Sequence, residues 1–390
     1  MVRTASHMAL RLATAYSAIF FFVGLYLPFW PVWLGHRGMS PSEVGLLLGV
    51  SPWTRVIASP IAGRWADRTG RGHRLVIVLA LAVGLDLLLF QLSQGFWTLL
   101  LLTTILGLVH APIIPLVDGI TLGAEAHGTL NYSRVRLWGS VAFIAASWIG
   151  GELLELHGEE IIVWLMVSAA VLTMLASSAL PAPIRNASDD TTPQQPSKTT
   201  ASDFSPRSRA FISFLVIAGL LHLSHAVLYA FGTHHWREAG LDDGIIGLLW
   251  AESVIAEILL FAIAPRVLKG VSPRTLWMLA GVAGLVRWTV LGSTTTLLWI
   301  AVTQALHGLT FGALHLGAMA YLRQQVPDAA RGHATTLYSA AAAGLALGIG
   351  LPVAGQLYQH VGGQAYWLMS ACSGLGLVLA FMRPTAAKAG

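Results

Sequence analysis

Gly63-Arg64-Trp65-Ala66-Asp67-Arg68-Thr69-Gly70-Arg71-Gly72-His73-Arg74 joins two apolar runs, residues 44–62 and 75–92. Neither run has the polar face that a helix on the surface of a soluble protein needs. A short basic segment between two such runs reads as a turn between membrane helices. Its arginines mark the side on which the chain stays. Within it, Gly63 permits close helix approach. Asp67 is placed to pair with an arginine or to cap a helix N-terminus, and Gly70 suits a tight turn.

The rest of the chain has the same character. Its 390 residues are 55% hydrophobic and 11% charged, against about 25% charged in soluble chains. About 20 apolar residues span a bilayer. Twelve stretches qualify: residues 10–34, 43–64, 75–93, 96–119, 137–156, 161–180, 210–233, 244–265, 274–292, 296–321, 333–357 and 364–382. The single cysteine, Cys372, falls in the last of them, so neither a disulfide framework nor a cysteine metal site is expected. The first span is longer than the core of a signal peptide and no small-residue cleavage site follows it, so it reads as a retained helix.

The net charge of +5 reads as membrane topology and not as nucleic-acid binding. With both termini inside, the cytoplasmic loops centre on 64–74, 121–136, 182–209, 266–274 and 323–333. Of the 23 Lys and Arg, only Arg37 and Arg237 lie in the opposite loops, and only Arg55 and Arg287 lie deep inside spans. The opposite loops carry Glu155, Glu159, Glu160, Asp242 and Asp243. This bias predicts an integral protein of a plasma membrane, such as a bacterial inner membrane, with both ends in the cytoplasm and lipid around it.

Residues 181–209 form a polar linker rich in Ser, Thr, Gln and Pro, a composition that does not build a core. It separates two sets of six spans, 1–180 and 210–390. An even number of spans lets the second set start on the same side as the first, as parallel repeats require. At one constant offset, Val44-Gly45-Leu46-Leu47 falls on Ile246-Gly247-Leu248-Leu249, Arg64 on Arg266 and Arg55 on Glu257. At another, His110 falls on His307, Asp118 on His315, Arg134 on Arg331 and Arg136 on His333. Polar groups inside spans thus land on polar groups.

An ionisable group inside a span costs about 2.5–3.5 kcal/mol at mid-depth on insertion scales, and is a functional candidate by default. Arg55 and Glu257 lie at equivalent depths, Arg287 lies well into the ninth span, and His307 and His315 share the tenth. An arginine stays charged, and its fork fits a carboxylate. A carboxyl group is different. Burial favours its neutral form and a nearby cation its charged form. Glu257 beside Arg287 therefore reads either as a proton carrier or as a static ion pair joining helices. His307 and His315 read either as relays or as core histidines bonded to backbone carbonyls. The carbonyl reading is favoured for His110, His222 and His225. Glu252 lies on another face of the same helix as Glu257. Asp118 with Arg134 or Arg136 reads as an inner-gate or packing salt bridge. The first span also carries Tyr26, and Trp30 and Trp33 near its outer end read as an interfacial belt or as cavity walls. Asp86 has no assigned partner.

The pattern Gly-x-x-x-Asp-Arg-x-Gly-Arg at 63–71 resembles the loop between helices 2 and 3 of the major facilitator superfamily. Longer strings narrow the resemblance. They are Val135-Arg136-Leu137-Trp138-Gly139-Ser140-Val141-Ala142-Phe143, Gly247-Leu248-Leu249-Trp250 followed by Ala256-Glu257, Val286-Arg287-Trp288, and Gln304-Ala305-Leu306-His307-Gly308-Leu309-Thr310-Phe311 with His315-Leu316 and Ala318-Met319. These resemble the 3-phenylpropionate permeases, in the lactose-permease-like part of the superfamily, over about residues 10–383. The resemblance implies an all-α fold of twelve transmembrane helices in two parallel six-helix repeats, alternating access and proton symport. In lactose permeases a helix 8 Glu, a helix 9 Arg and a helix 10 His serve the sugar and the proton. The matching positions are Glu257, Arg287 and either His307 or His315. The further acidic residue just after that His is missing here, and Glu252 is an addition.

The expectation is a monomeric transporter of a small molecule, working with protons and without a cofactor. The cargo expected is a small aromatic carboxylate such as 3-phenylpropionate. Arg55 or Arg287 would bind its carboxylate, and Tyr26, Trp30, Trp288 or Phe311 its ring. Glu257 would carry the proton, with His307, His315 and Glu252 as further candidates. Gly63, Asp67, Arg68, Gly70, Arg71, Asp118, Arg134 and Arg136 would serve the conformational change. A sugar or nucleoside symporter and a drug exporter remain alternatives. A non-transporting membrane sensor is the alternative of another class. No metal motif, phosphate loop or activated nucleophile points to an enzyme.

Overall fold

The computed structural model of the protein describes residues 2–128, 130–180 and 204–382. Among them the regular elements are helices, with no strand. The twelve spans are α1 Val2–His36, α2 Pro41–Thr69, α3 Gly72–Leu92, α4 Phe96–Ala126, α5 Tyr132–His157, α6 Ile161–Ser178, α7 Arg209–Glu238, α8 Asp243–Val267, α9 Pro273–Leu291, α10 Leu297–Gln325, α11 Asp328–Ser339 continued by Ala340–Ala346 and Leu347–Val361, and α12 Tyr366–Met382. The stretch Ala330–Met382 is 53 residues of apolar helix. As one rod it would run about 80 Å, far beyond the roughly 30 Å hydrocarbon core. Gly362, at φ 55°, turns the chain and makes it two spans. Most of the expected linker, 181–203, lies outside the described residues.

The opening stretch behaves as its glycine requires. Ser40 and Glu43 close a capping box at the start of α2, and Gly70 ends it in the left-handed region at φ 64°, its N–H bonded to the Ala66 carbonyl at 2.8 Å. Two expectations for this loop are not met. Asp67 is exposed and makes no ion pair or helix cap among the described residues, because the backbone of Gly70 already closes the helix. A side chain at Gly63 would meet open space, so no helix packs closely there. Arg68 and Arg71 are also exposed.

The internal repeat is realised in packing. In the first six helices α1 lies against α5 and α6, and α3 against α6; in the second, α7 lies against α11 and α12, and α9 against α12. Helices α4 and α10 each carry a break, at Ala111–Pro112 and at Leu306, beside the paired histidines His110 and His307. In space the chain forms two compact units. One holds the described residues of Met1–Asp190 with Phe231–Ala251; the other holds those of Thr191–Ala230 with Glu252–Gly390. The first unit therefore takes in the neighbouring ends of α7 and α8. There α5 and α8 approach backbone to backbone: a side chain at Gly151 would run into the Asp243 carbonyl, and one at Gly247 into the Ser147 carbonyl.

Charged groups hold this acidic-loop end of the first unit. Arg237 forks onto Asp243, with both bonds at 2.5 Å, and reaches Glu159 at 2.9 Å. His36 stands 3.6 Å from Glu159 and 3.4 Å from Glu160, and Arg37 bonds Glu160 at 3.3 Å. Burial pushes the Glu159 carboxyl up, but the hydrogen bond and charge of Arg237, helped by His36, outweigh it and hold the group below the ordinary value. Stability from this pair is therefore complete above the free glutamate pKa of about 4.3 and is lost as pH falls through the lower folded-state value. Thermal unfolding in detergent should show a loss of stability on acidification below about pH 4, and Arg237→Gln should flatten that loss. An identical acid profile in the variant would exclude the pair as its cause.

Candidate functional site

In the first unit the candidate residues gather around Arg55. Thr54, its neighbour on α2, packs on Gly107 of α4 so tightly that any side chain at Gly107 would collide with it. That contact fixes the rotation of α2 and turns Arg55 toward Tyr26 and His110, with which it interacts electrostatically. Arg55 is exposed, and no hydrogen bond or ion pair holds its guanidinium among the described residues. Tyr26 bonds Ser51 at 3.2 Å. An aromatic ladder runs up α1: His110 on Phe22 at 4.5 Å, Phe22 on Tyr26 and Tyr26 on Trp30 at 6.0 Å, and Trp30 on Trp33 at 4.8 Å. Trp30 and Trp33 are fully buried and meet the Phe90 ring edge-on. They are thus core residues, not an interfacial belt.

The second unit repeats the device. Ala256, next to Glu257 on α8, lies against Gly308 of α10, where a Cβ would stand 2.8 Å from the Ala256 carbonyl oxygen. Gly308–Ala313 is π-helical, a local widening that often marks functional sites. The bulge brings Gln304, His307 and Thr310 to one group, Arg287. This guanidinium is fully buried. It donates to Gln304, to Thr310 Oγ1 at 3.0 Å and to His307 Nδ1 at 3.1 Å, and it lies 4.7 Å over the Trp288 ring. Its Nε has no acceptor.

Arginine has only donors, so His307 Nδ1 must accept and Nε2 must carry the proton of the neutral ring. That N–H faces Glu257, whose Oε2 is 3.9 Å away. Of the two readings for Glu257 and Arg287, the direct ion pair is not formed among the described residues, and His307 lies within reach of both. The carboxylate that acts on Arg287 at longer range is Glu252. The tenth-span ladder continues with Phe311, stacked on His307 at 5.4 Å and on His315 at 6.4 Å. His222 and His225 do bond backbone carbonyls, of Ala218 at 2.9 Å and Leu221 at 3.0 Å. Thr310 also bonds His225 Nε2 at 3.2 Å.

The expected salt bridge from Asp118 to Arg134 or Arg136 is not formed. Asp118 instead accepts from the hydroxyls of Tyr16 at 2.5 Å and Tyr132 at 3.1 Å. Arg136 lies 3.8 Å over the Phe20 ring, and Arg134 is exposed, its backbone N–H capped by Asn131 at 3.0 Å. Tyrosine hydroxyls satisfy the carboxylate at less desolvation cost than a second buried charge. Sequence reasoning missed Gln304 and Thr310 as the residues that hold Arg287. Their spacing from His307, three residues to either side, was the signal, and it needed the π bulge to be read.

The chain matches the family model described as "MFS_1 like family" over residues 9–369. It is 33% identical over 380 residues to a protein of Escherichia coli (strain K12) named "Probable 3-phenylpropionic acid transporter", covering 96% of each chain. It is 26% identical over 370 residues to the maltose permease of Geobacillus stearothermophilus, covering 93% of this chain and 91% of that one. The crystal structure of nucleoside transporter NupG superposes with a TM-score of 0.81 at 17% identity, over 96% of this chain and 97% of the other. The chain accordingly belongs to the MFS_1-like family of the major facilitator superfamily, and is an integral membrane secondary transporter of twelve helices in two parallel six-helix repeats.

Proposed function

We propose that the protein takes up a small aromatic monocarboxylate together with a proton, by alternating access. The observation that carries this reading is Arg55, a mid-span cation that is open to its surroundings and engaged by no described hydrogen bond or ion pair. A charge in that position is too costly to be idle, and its free fork suits a carboxylate. The name of the 33% identical relative points to the same cargo class. Tyr26 of the first unit and Phe311 of the second, both partly exposed, are the candidate ring contacts. Trp30 and Trp288, fully buried, back Tyr26 and Arg287. Glu257 takes the proton, and Arg287 responds to it through His307. Glu252 and His315 tune the same region.

One proton entering with one monoanion is electroneutral, so a pH gradient alone drives accumulation. In this reading the basic-loop end and both chain ends face the cytoplasm of a bacterial inner membrane, and one chain is the working unit. The exposed Asp67, Arg68 and Arg71, with Gly63 and Gly70, engage partners in the other conformation. The set Asp118, Arg134 and Arg136 rearranges at the same step.

The test is uptake of labelled 3-phenylpropionate into proteoliposomes, with an inward proton gradient and with the gradient collapsed. Accumulation only with the gradient is expected. No uptake in either state from folded protein would remove the aromatic acid and leave a sugar, nucleoside or drug as cargo.

A further inference from the structure

The mechanism above leaves one buried acid unused. Asp86 on α3 is 3% exposed, and neither of its carboxyl oxygens has a hydrogen-bond partner. Helix α3 packs on α2, α4 and α6. No titratable or charged group on those helices, on α1, or on α3 itself acts on Asp86 electrostatically among the described residues. One turn further along α3, Phe90 is covered by the Trp30–Trp33 stack, which closes the site toward the acidic-loop end. Charge on this carboxyl would have no donor and no cation to stabilise it. A neutral acid with one O–H is the form such a place tolerates.

We propose that Asp86 is a second proton-binding site, in the N-terminal half and separate from Glu257. It holds a proton in this conformation and exchanges it with water when the helices around it part. By contrast, Asp118 has its two tyrosines and Glu43 its capping box. The proposal does not depend on the cargo and holds whether or not Arg55 binds a carboxylate.

Infrared spectroscopy of the protein in lipid bilayers tests it. At neutral pH the wild-type spectrum should contain a protonated-carboxyl C=O band that Asp86→Asn lacks and Glu257→Gln retains. Selective ¹³C labelling of aspartate should shift the same band in unmutated protein, which guards against misfolding of the variant. The band should move in D₂O and should lose intensity as pH is raised to about 9, where buried carboxyl groups are documented to titrate. Absence of an aspartate-dependent band would show Asp86 ionised and overturn the proposal. A band that neither exchanges nor titrates would make Asp86 a fixed structural donor and overturn it equally.

Discussion

Glu257→Gln is expected to abolish proton-driven accumulation while leaving substrate counterflow intact. Glutamine keeps the volume of the side chain, and its carbonyl oxygen still faces the His307 N–H. What it lacks is the ability to bind and release a proton. For electroneutral symport of one proton with one monoanion, the attainable accumulation ratio is about tenfold per unit of pH gradient. In the variant that ratio should fall to one at any gradient. Counterflow needs only the loaded carrier to reorient, and a permanently neutral residue allows it. Loss of both activities in folded protein would make Glu257 a structural residue. Retained accumulation would place the coupling proton elsewhere in the molecule.

The geometry makes the Glu257 result informative about its neighbours. His307 bonds Arg287 and lies 3.9 Å from Glu257, and the Arg287 contact leaves it a single N–H, on the nitrogen nearer the acid. Adding or removing the charge on Glu257 therefore changes the field at a buried guanidinium that has no direct counter-ion. Arg287 is held by three side chains of one helix, so a shift of charge at Glu257 is passed to α10 at its π bulge.

Arg55→Gln is expected to raise the apparent KM for a monocarboxylate about 100-fold, corresponding to about 3 kcal/mol for two charge-assisted hydrogen bonds. Arg55→Lys should recover part of the affinity, since it restores the charge without the planar fork. The variant should also lose its preference for the acid over the corresponding primary amide. Arg55 makes no described hydrogen bond, so its replacement should not lower the thermal stability of the empty protein. Arg287→Gln would remove the guanidinium's bonds to Gln304, Thr310 and His307 and should lower it. An unchanged KM in Arg55→Gln would remove Arg55 from the binding site and shift the carboxylate to the free Nε edge of Arg287.

The spans and the two-fold repeat were legible in the sequence alone. Each is a property of local sums: a run of apolar residues crosses a bilayer whatever it packs against, and a charge inside that run is costly wherever it points. The same logic singled out Arg55, Glu257, Arg287 and His307. Which of these groups touch one another was decided by the tertiary structure. Contact between helices depends on rotation about each axis, and nearly uniform apolar faces do not encode it. Close glycine contacts set that rotation at Thr54–Gly107 and Ala256–Gly308, and the π bulge after His307 resets it within α10. For that reason His307 lies within reach of both Glu257 and Arg287, Asp118 meets tyrosines and not arginines, Trp30 and Trp33 fill a core, and Asp86 is left alone inside its bundle.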